Sequence, residues 1–183
     1  MLDDDLDFAQ RTDGKLHKAT ATEIDAGLER LEAWLEDGWV QVGLGPRAGN
    51  HTVPEPWAEV TRQYAALGYD VPAVLASGAT FAPETDPMED FDMTLQLLER
   101  GYPNRVSYDF VIGSAGANAR GGCSAYRTAE RMHRAATTLA ARHPGVVTLV
   151  TKRSTTWAKL PERTDVEVAW KRAYRQRHQG SLL

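Results

Sequence analysis

The chain has 183 residues, 42% of them apolar, with a formal net charge of −4, which suits one domain with a sizeable core. A single cysteine, Cys123, excludes an internal disulfide framework and a cysteine-rich zinc site, and no stretch approaches the ~20 apolar residues of a membrane span. The near-neutral total hides a division: residues 1–100 carry about 20 acids against 7 bases, residues 101–183 about 5 against 14.

The start, MLDDDLDFAQ, is acidic with no apolar run behind it, so a soluble chain without a cleaved export signal is expected. Thr20-Ala21-Thr22-Glu23 has the spacing of a capping box, and Ile24, Leu28, Leu31 and Leu35 then mark one face of a helix that stops at Gly38. Trp39 to Leu44 alternates in the manner of a short strand, and a turn-rich stretch follows from Gly45 to Pro54. Pro56 suits a first helical turn, and Trp57, Val60, Tyr64 and Leu67 at helical spacing predict a second helix. Val71 to Gly78 is apolar but holds Pro72, which reads as an edge strand or packed coil. Asp86-Pro87 reads as the N-cap and first residue of a third helix, with Phe91, Leu95 and Leu98 inward.

Val106, Tyr108, Phe110 and Ile112 alternate with Ser107, Asp109 and Val111, the period of a strand with one well-buried face. A glycine-rich loop from Gly113 to Gly122 leads to a fourth helix with Ser124 as cap, Met132, Ala136 and Leu139 inward and Arg127, Arg131 and Arg134 mainly outward. Pro144-Gly145 ends it, and Val146 to Arg153 reads as a strand returning to the same sheet. In the last stretch, Val166, Val168, Trp170 and Tyr174 suit a strand, and Val166, Ala169, Trp170 and Ala173 suit a helix; the strand is slightly favoured. The expected fold is a single α+β domain, a small mixed sheet of about four to five strands packed by about four helices.

Three regions are candidates for chemistry. Gly116, Asn118, Arg120, Gly121 and Gly122 lie in a flexible loop between strand and helix, where backbone N–H groups can face an anion. The loop has neither the lysine end of a P-loop nor the GxGxxG spacing, so a packing loop is the plainer reading. Cys123 lies ahead of a helix, but His133 is about 15 Å along that helix and too far to serve as its base. Asp86, Glu89, Asp90 and Asp92 crowd a helix start, which favours carboxylates for electrostatic reasons alone. The five histidines show no ligand spacing, so neither a metal nor another cofactor is implied, and no catalytic residue is named. The third region is basic: Lys152, Arg153, Lys159, Arg163, Lys171, Arg172, Arg175 and Arg177, interleaved with Trp157, Trp170 and Tyr174. It suits phosphate contacts with stacked bases, or a surface that meets the acids Asp3, Asp4, Asp5 and Asp7 of another subunit.

From Val106 onward the run VSYDFVI, RTAERMHRAATTLAARHPG, VVTLVTKR, TTWAKLPE and VEVAWKRAY resembles the later part of tail-terminator and head-tail connector subunits of long-tailed bacteriophages. The resemblance covers under half of the chain and implies a ring-forming structural subunit, with no catalytic residue carried across. The leading expectation is therefore a non-enzymatic protein that acts by homo-oligomerisation or by docking into a larger assembly, cytoplasmic or, if phage-derived, part of a virion. A nucleic-acid-binding protein using the basic half is the second reading. An enzyme with an anionic substrate at the Gly113–Gly122 loop is the third, and no membrane partner is expected.

Overall fold

A computed structural model of the chain describes residues 6–48, 53–63, 65–114, 128–153 and 162–180. Among them the fold is mixed α+β, with five α-helices, a six-stranded sheet and a separate two-stranded sheet. The count exceeds the expected four helices and four to five strands.

Strands β1 (Leu6–Thr12) and β2 (Lys15–Lys18) form a hairpin. Its turn residues Asp13 and Gly14 both take positive φ, the primed-turn geometry whose twist matches paired strands. Helix α1 (Ala21–Glu36) begins as the sequence predicts: Thr20 Oγ1 accepts from the Glu23 N–H at 3.3 Å, and the Thr20 N–H donates to the Glu23 carboxylate at 2.8 Å. Strand β3 (Gln41–Pro46) follows, also as expected.

The next two predicted elements are exchanged. Residues Trp57–Glu59 form strand β4 and Leu67–Tyr69 form β5, in place of a helix from Pro56. The helical spacing of the apolar residues is outweighed by pairing: β4 runs antiparallel to a long strand, β6 (Asn104–Ser114), and Val60 takes φ 52, which no helix continues. Conversely, Val71–Ser77 is helix α2, with the Asp70 carboxylate accepting from the Ala73 N–H at 3.0 Å, Pro72 in the first turn and Gly78 as a left-handed cap. Asp86 and Pro87 are joined by a cis peptide bond and do not start the third helix; α3 is Glu89–Glu99, with Met88 at the N-cap.

The large sheet has the order β2-β1-β6-β3-β5, with β3 parallel to β6 and the other pairs antiparallel. Strand β4 lies alongside β6 off that path, at residues 105–107, while β1 pairs with β6 at residues 110–114. Helix α1 covers one face, where Leu31 and Trp34 pack with Val42, Leu44, Phe110 and Ile112. Its approach depends on Gly27: a Cβ there would lie 2.3 Å from the Phe110 ring, inside any permissible contact. Helix α3 packs on the sheet through Met93 and Leu97 against Val40, and Gln41 of β3 donates to Thr94 at 2.9 Å.

Helix α4 (Ala129–Arg142) is capped by Thr128, whose side chain accepts from the Arg131 N–H at 3.1 Å; Ser124, the expected cap, lies outside the described residues. Strand β7 (Val147–Arg153) does not return to the large sheet. Among the described residues it pairs with β8 (Glu162–Val168) alone, as a separate hairpin. The ambiguous last stretch is both things in turn, with β8 to Val168 and helix α5 (Trp170–Gly180) after it, so the favoured strand for Trp170 and Tyr174 is corrected to helix. A second core joins Leu95 and Leu98 of α3, Met132, Ala136 and Leu139 of α4, Val147 and Val166 of the hairpin, and Ala173 of α5.

Candidate binding groove

The basic C-terminal residues separate into two groups. On the hairpin they are matched by neighbouring acids: Lys152 with Asp165 at 3.3 Å, Arg163 with Asp165 at 2.9 Å and Arg153 with Glu162 at 2.8 Å. Cross-strand register sets Arg153 opposite Glu162, while the directly opposed Lys152 and Arg163 share Asp165, which is diagonal to Lys152 across the pair and two residues from Arg163 along β8. On α5, Lys171, Arg172 and Arg175 are exposed and meet no acid among the described residues. Arg177 falls in α5 where side chains are outside the described set, and Lys159 is also outside it. Gly116, Asn118, Arg120, Gly121, Gly122, Cys123 and Asp3, Asp4 and Asp5 are likewise outside the described residues. Asp7 is exposed in β1, opposite Gly113 of β6.

The three α5 cations line an open groove of about 960 Å³ between that helix and the segment Trp57–Thr61. The α5 wall is fixed by burial of Ala173 and by Trp170, whose ring meets Phe91 of α3 at 5.6 Å. Arg62 stacks on Phe91 at 4.3 Å, extending the arrangement behind the groove.

The opposite wall is held by Asn104 and Arg105, successive residues of β6. Asn104 Oδ1 accepts from the Thr61 N–H at 3.0 Å and its Nδ2 donates to the Thr61 carbonyl at 2.7 Å, so a side chain extends the strand pairing beyond β4. The Arg105 guanidinium lies 4.1 Å from Trp39, 5.3 Å from Trp57 and 5.4 Å from Trp34, and donates to Glu59 at 2.7 Å. Cation–π attraction and this ion pair hold Trp57 and Glu59 in place. The one carboxylate on that wall, Glu59, is thereby engaged by Arg105.

Strand β4 is an edge. Among the described residues no strand pairs with its outer side, and its residues line the groove. The inward pairing of Val60 N–H with the Asn104 carbonyl at 3.1 Å, and of the Pro56 carbonyl with Tyr108 N–H at 2.8 Å, sets the alternation. It follows that the main-chain groups of Trp57 and Glu59 point away from β6. The groove thus combines hydrogen-bonding backbone, three cations and the rings of Trp57, Trp170 and Tyr174.

A second charged cluster is interior. The Asp92 carboxylate, fully buried, accepts from Arg142 Nε at 2.7 Å, pairs with His143 Nε2 at 2.9 Å and accepts from Gln96 at 2.6 Å. His143 Nδ1 meets Glu99 at 3.0 Å. With carboxylates at both ring nitrogens, the doubly protonated imidazolium is the fitting form. Burial pushes the Asp92 carboxyl up, but the bonds and charges of His143 and Arg142 outweigh it and hold it below its ordinary value. Burial likewise pushes His143 down, and the bonds to Asp92 and Glu99 prevail and raise it. Two residues away, burial pushes the Asp90 carboxyl up to about 6 against the pull of Arg62. Sequence reasoning grouped these acids as one cluster at a helix start; the structure sends Asp86 to Arg131 and Asp92 to the end of α4. The available signal was an acid two residues from Asp90 and flanked by inward Phe91 and Leu95, a position that demands a buried partner.

Among the described residues no group of three or more His, Cys, Asp or Glu is arranged to hold a metal, and no helix is long and apolar enough to cross a membrane. No protein-family model matches the chain, and comparison with curated proteins and with solved structures finds no match.

Proposed function

We propose that this chain is a non-enzymatic binding and assembly subunit that takes an acidic, extended polypeptide segment into the groove between β4 and α5. The observation that carries this reading is the coincidence of a strand edge that no described strand pairs with and three exposed cations. An extended peptide completes the edge through main-chain hydrogen bonds, and acidic side chains complete the charge. Steering by the exposed lysine and arginines speeds encounter and makes binding sensitive to salt. The ring-forming role implied by the resemblance to phage tail-end subunits is one form such an assembly takes.

A second reading, single-stranded nucleic acid, has support in Trp57, Trp170 and Tyr174, which line the groove beside the cations and offer stacking surfaces. The strand edge favours the peptide, because a nucleic acid has no amide ladder to add to it. Fluorescence anisotropy of a labelled oligo-aspartate peptide and of a labelled oligothymidylate, each titrated with the protein at low salt, tests the two. The peptide is expected to bind, and Lys171→Glu with Arg175→Glu is expected to abolish its binding. Binding of the oligothymidylate alone, or of neither probe, overturns the proposal.

A further inference from the structure

We infer that the segment received by the groove is the acidic stretch Asp3–Asp5 of a second copy of this chain, so that the protein assembles head to tail. The inference rests on the reading of the groove as a peptide-binding edge and adds the identity of the occupant.

The charge on the two sides is complementary. Asp3, Asp4 and Asp5 form an uninterrupted acidic run immediately ahead of β1, and Lys171, Arg172 and Arg175 form a cationic row beside the β4 edge. Spacing agrees as well. In an extended segment Asp3 and Asp5 share one side, about 6.7 Å apart, while Lys171 and Arg175 sit on one helix face about 6 Å apart along the axis. Two carboxylates on one side of such a segment thus match the spacing of two cations, with Asp4 on the segment's other side.

On one chain the two surfaces lie toward opposite ends of β6. Leu6 pairs with Ser114 near the end of β6, whereas Trp57 pairs with Ser107. Strand β1 runs antiparallel to β6 from Leu6 toward Thr12, so its first residue lies at the end of β1 remote from the Trp57 pairing. The acidic run therefore enters the groove of another copy rather than turning back along β6 to its own. Because donor segment and receiving groove are different surfaces, the contact is heterologous, and each bound copy presents both surfaces again. A ring or an open filament results, according to whether the rotation between copies closes.

The experiment uses the full chain and two variants. One has Asp3→Asn, Asp4→Asn and Asp5→Asn, leaving the groove intact; the other has Lys171→Glu and Arg175→Glu, leaving the acidic segment intact. Light scattering of the unaltered chain is expected to give an oligomer at low salt and single-chain mass at high salt. Each variant alone is expected to be a monomer, with circular dichroism unchanged. Mixed in equal amounts, the two are expected to form a dimer and nothing larger, because only one groove and one segment remain. An unaltered chain that stays monomeric at low salt overturns the inference, and so does an oligomer that persists in the acid-neutralised variant. In either case, retained anisotropy binding of the oligo-aspartate peptide leaves the groove reading standing, whereas its loss removes both.

Discussion

Helices α4 and α5 share a core with α3, and their basic side chains are used in opposite ways. At the end of α4, Arg142 and His143 turn inward onto Asp92 and Glu99, and Arg142 also reaches Glu84 at 3.2 Å. On α5, Lys171, Arg172 and Arg175 turn outward onto a groove. Charge that finds a partner within the chain stabilises the fold, and charge left facing solvent is available for recognition. The difference lies in burial: Asp92 is wholly covered and needs compensation, which Arg142, His143 and Gln96 supply.

The largest effect that separates the two sets is expected from Asp92→Ala. It leaves the nearly buried His143 without one of its two carboxylates, and urea unfolding should show a loss of ~3–5 kcal/mol. Peptide binding by the folded fraction should not change. If this substitution is as mild as a surface one, the inward set has no structural role.

His143→Gln is expected to cost less, about 1–3 kcal/mol, since an amide retains a donor for a buried carboxylate. It also changes the pH dependence. The folded pKa of His143 is raised, so its contribution is complete below the unfolded value of about 6.5 and is lost as pH rises through the folded value. Asp92 acts in the opposite sense: its contribution is present above the ordinary carboxylate value and fades as pH falls through the lowered one. Denaturant midpoints across pH should therefore fall on the alkaline side for the unaltered chain, and that fall should be absent in His143→Gln. Asp90 sharpens the contrast within one helix turn. Its carboxyl, raised to about 6, weakens the fold when charged, so Asp90→Asn should be more stable than the unaltered chain above pH 6, with the gap closing on acidification.

The smallest effect is expected from Arg153→Glu. Arg153 is 84% exposed and paired with Glu162 on the hairpin, outside the groove, so neither the unfolding midpoint nor peptide affinity should move measurably. A loss of affinity as large as that from the α5 charge reversal would extend the binding surface to the hairpin and dissolve the distinction between them.

Elements whose signals were local were legible in the sequence. The capping box at Thr20, a strand through Val106–Ile112 and the stop at Pro144-Gly145 each depend on a few neighbouring residues, and each has its counterpart in the structure, although an irregularity in the β3–β6 register buries Ser107 and Val111 and leaves Tyr108 half-buried, against the expected alternation. The exchanged elements had another origin. Trp57, Val60 and Leu67 have helical spacing, but β6 supplies a pairing partner nearly fifty residues away, and Arg105 gathers Trp57 with Trp34 and Trp39. Spacing within a window carries no trace of that competition. At Val71–Ser77 the local signals were complete, with Asp70 as cap, Pro72 in the first turn and Gly78 at the end; the apolar composition obscured them. Of the groove, the basic and aromatic residue types of α5 were legible. Their segregation from the self-neutralised hairpin was not, because it depends on which acids lie across a strand pair.

The tryptophan cluster around Arg105 also gives the protein a built-in optical readout. Trp57 is 44% exposed at the groove, and its ring meets the ring of Trp34 edge-on with centroids 6.4 Å apart. An occupant laid along β4 removes water from Trp57 and alters the polarity that its indole senses. Intrinsic emission excited at the indole band thus reports filling of the groove directly, without a label on either binding partner.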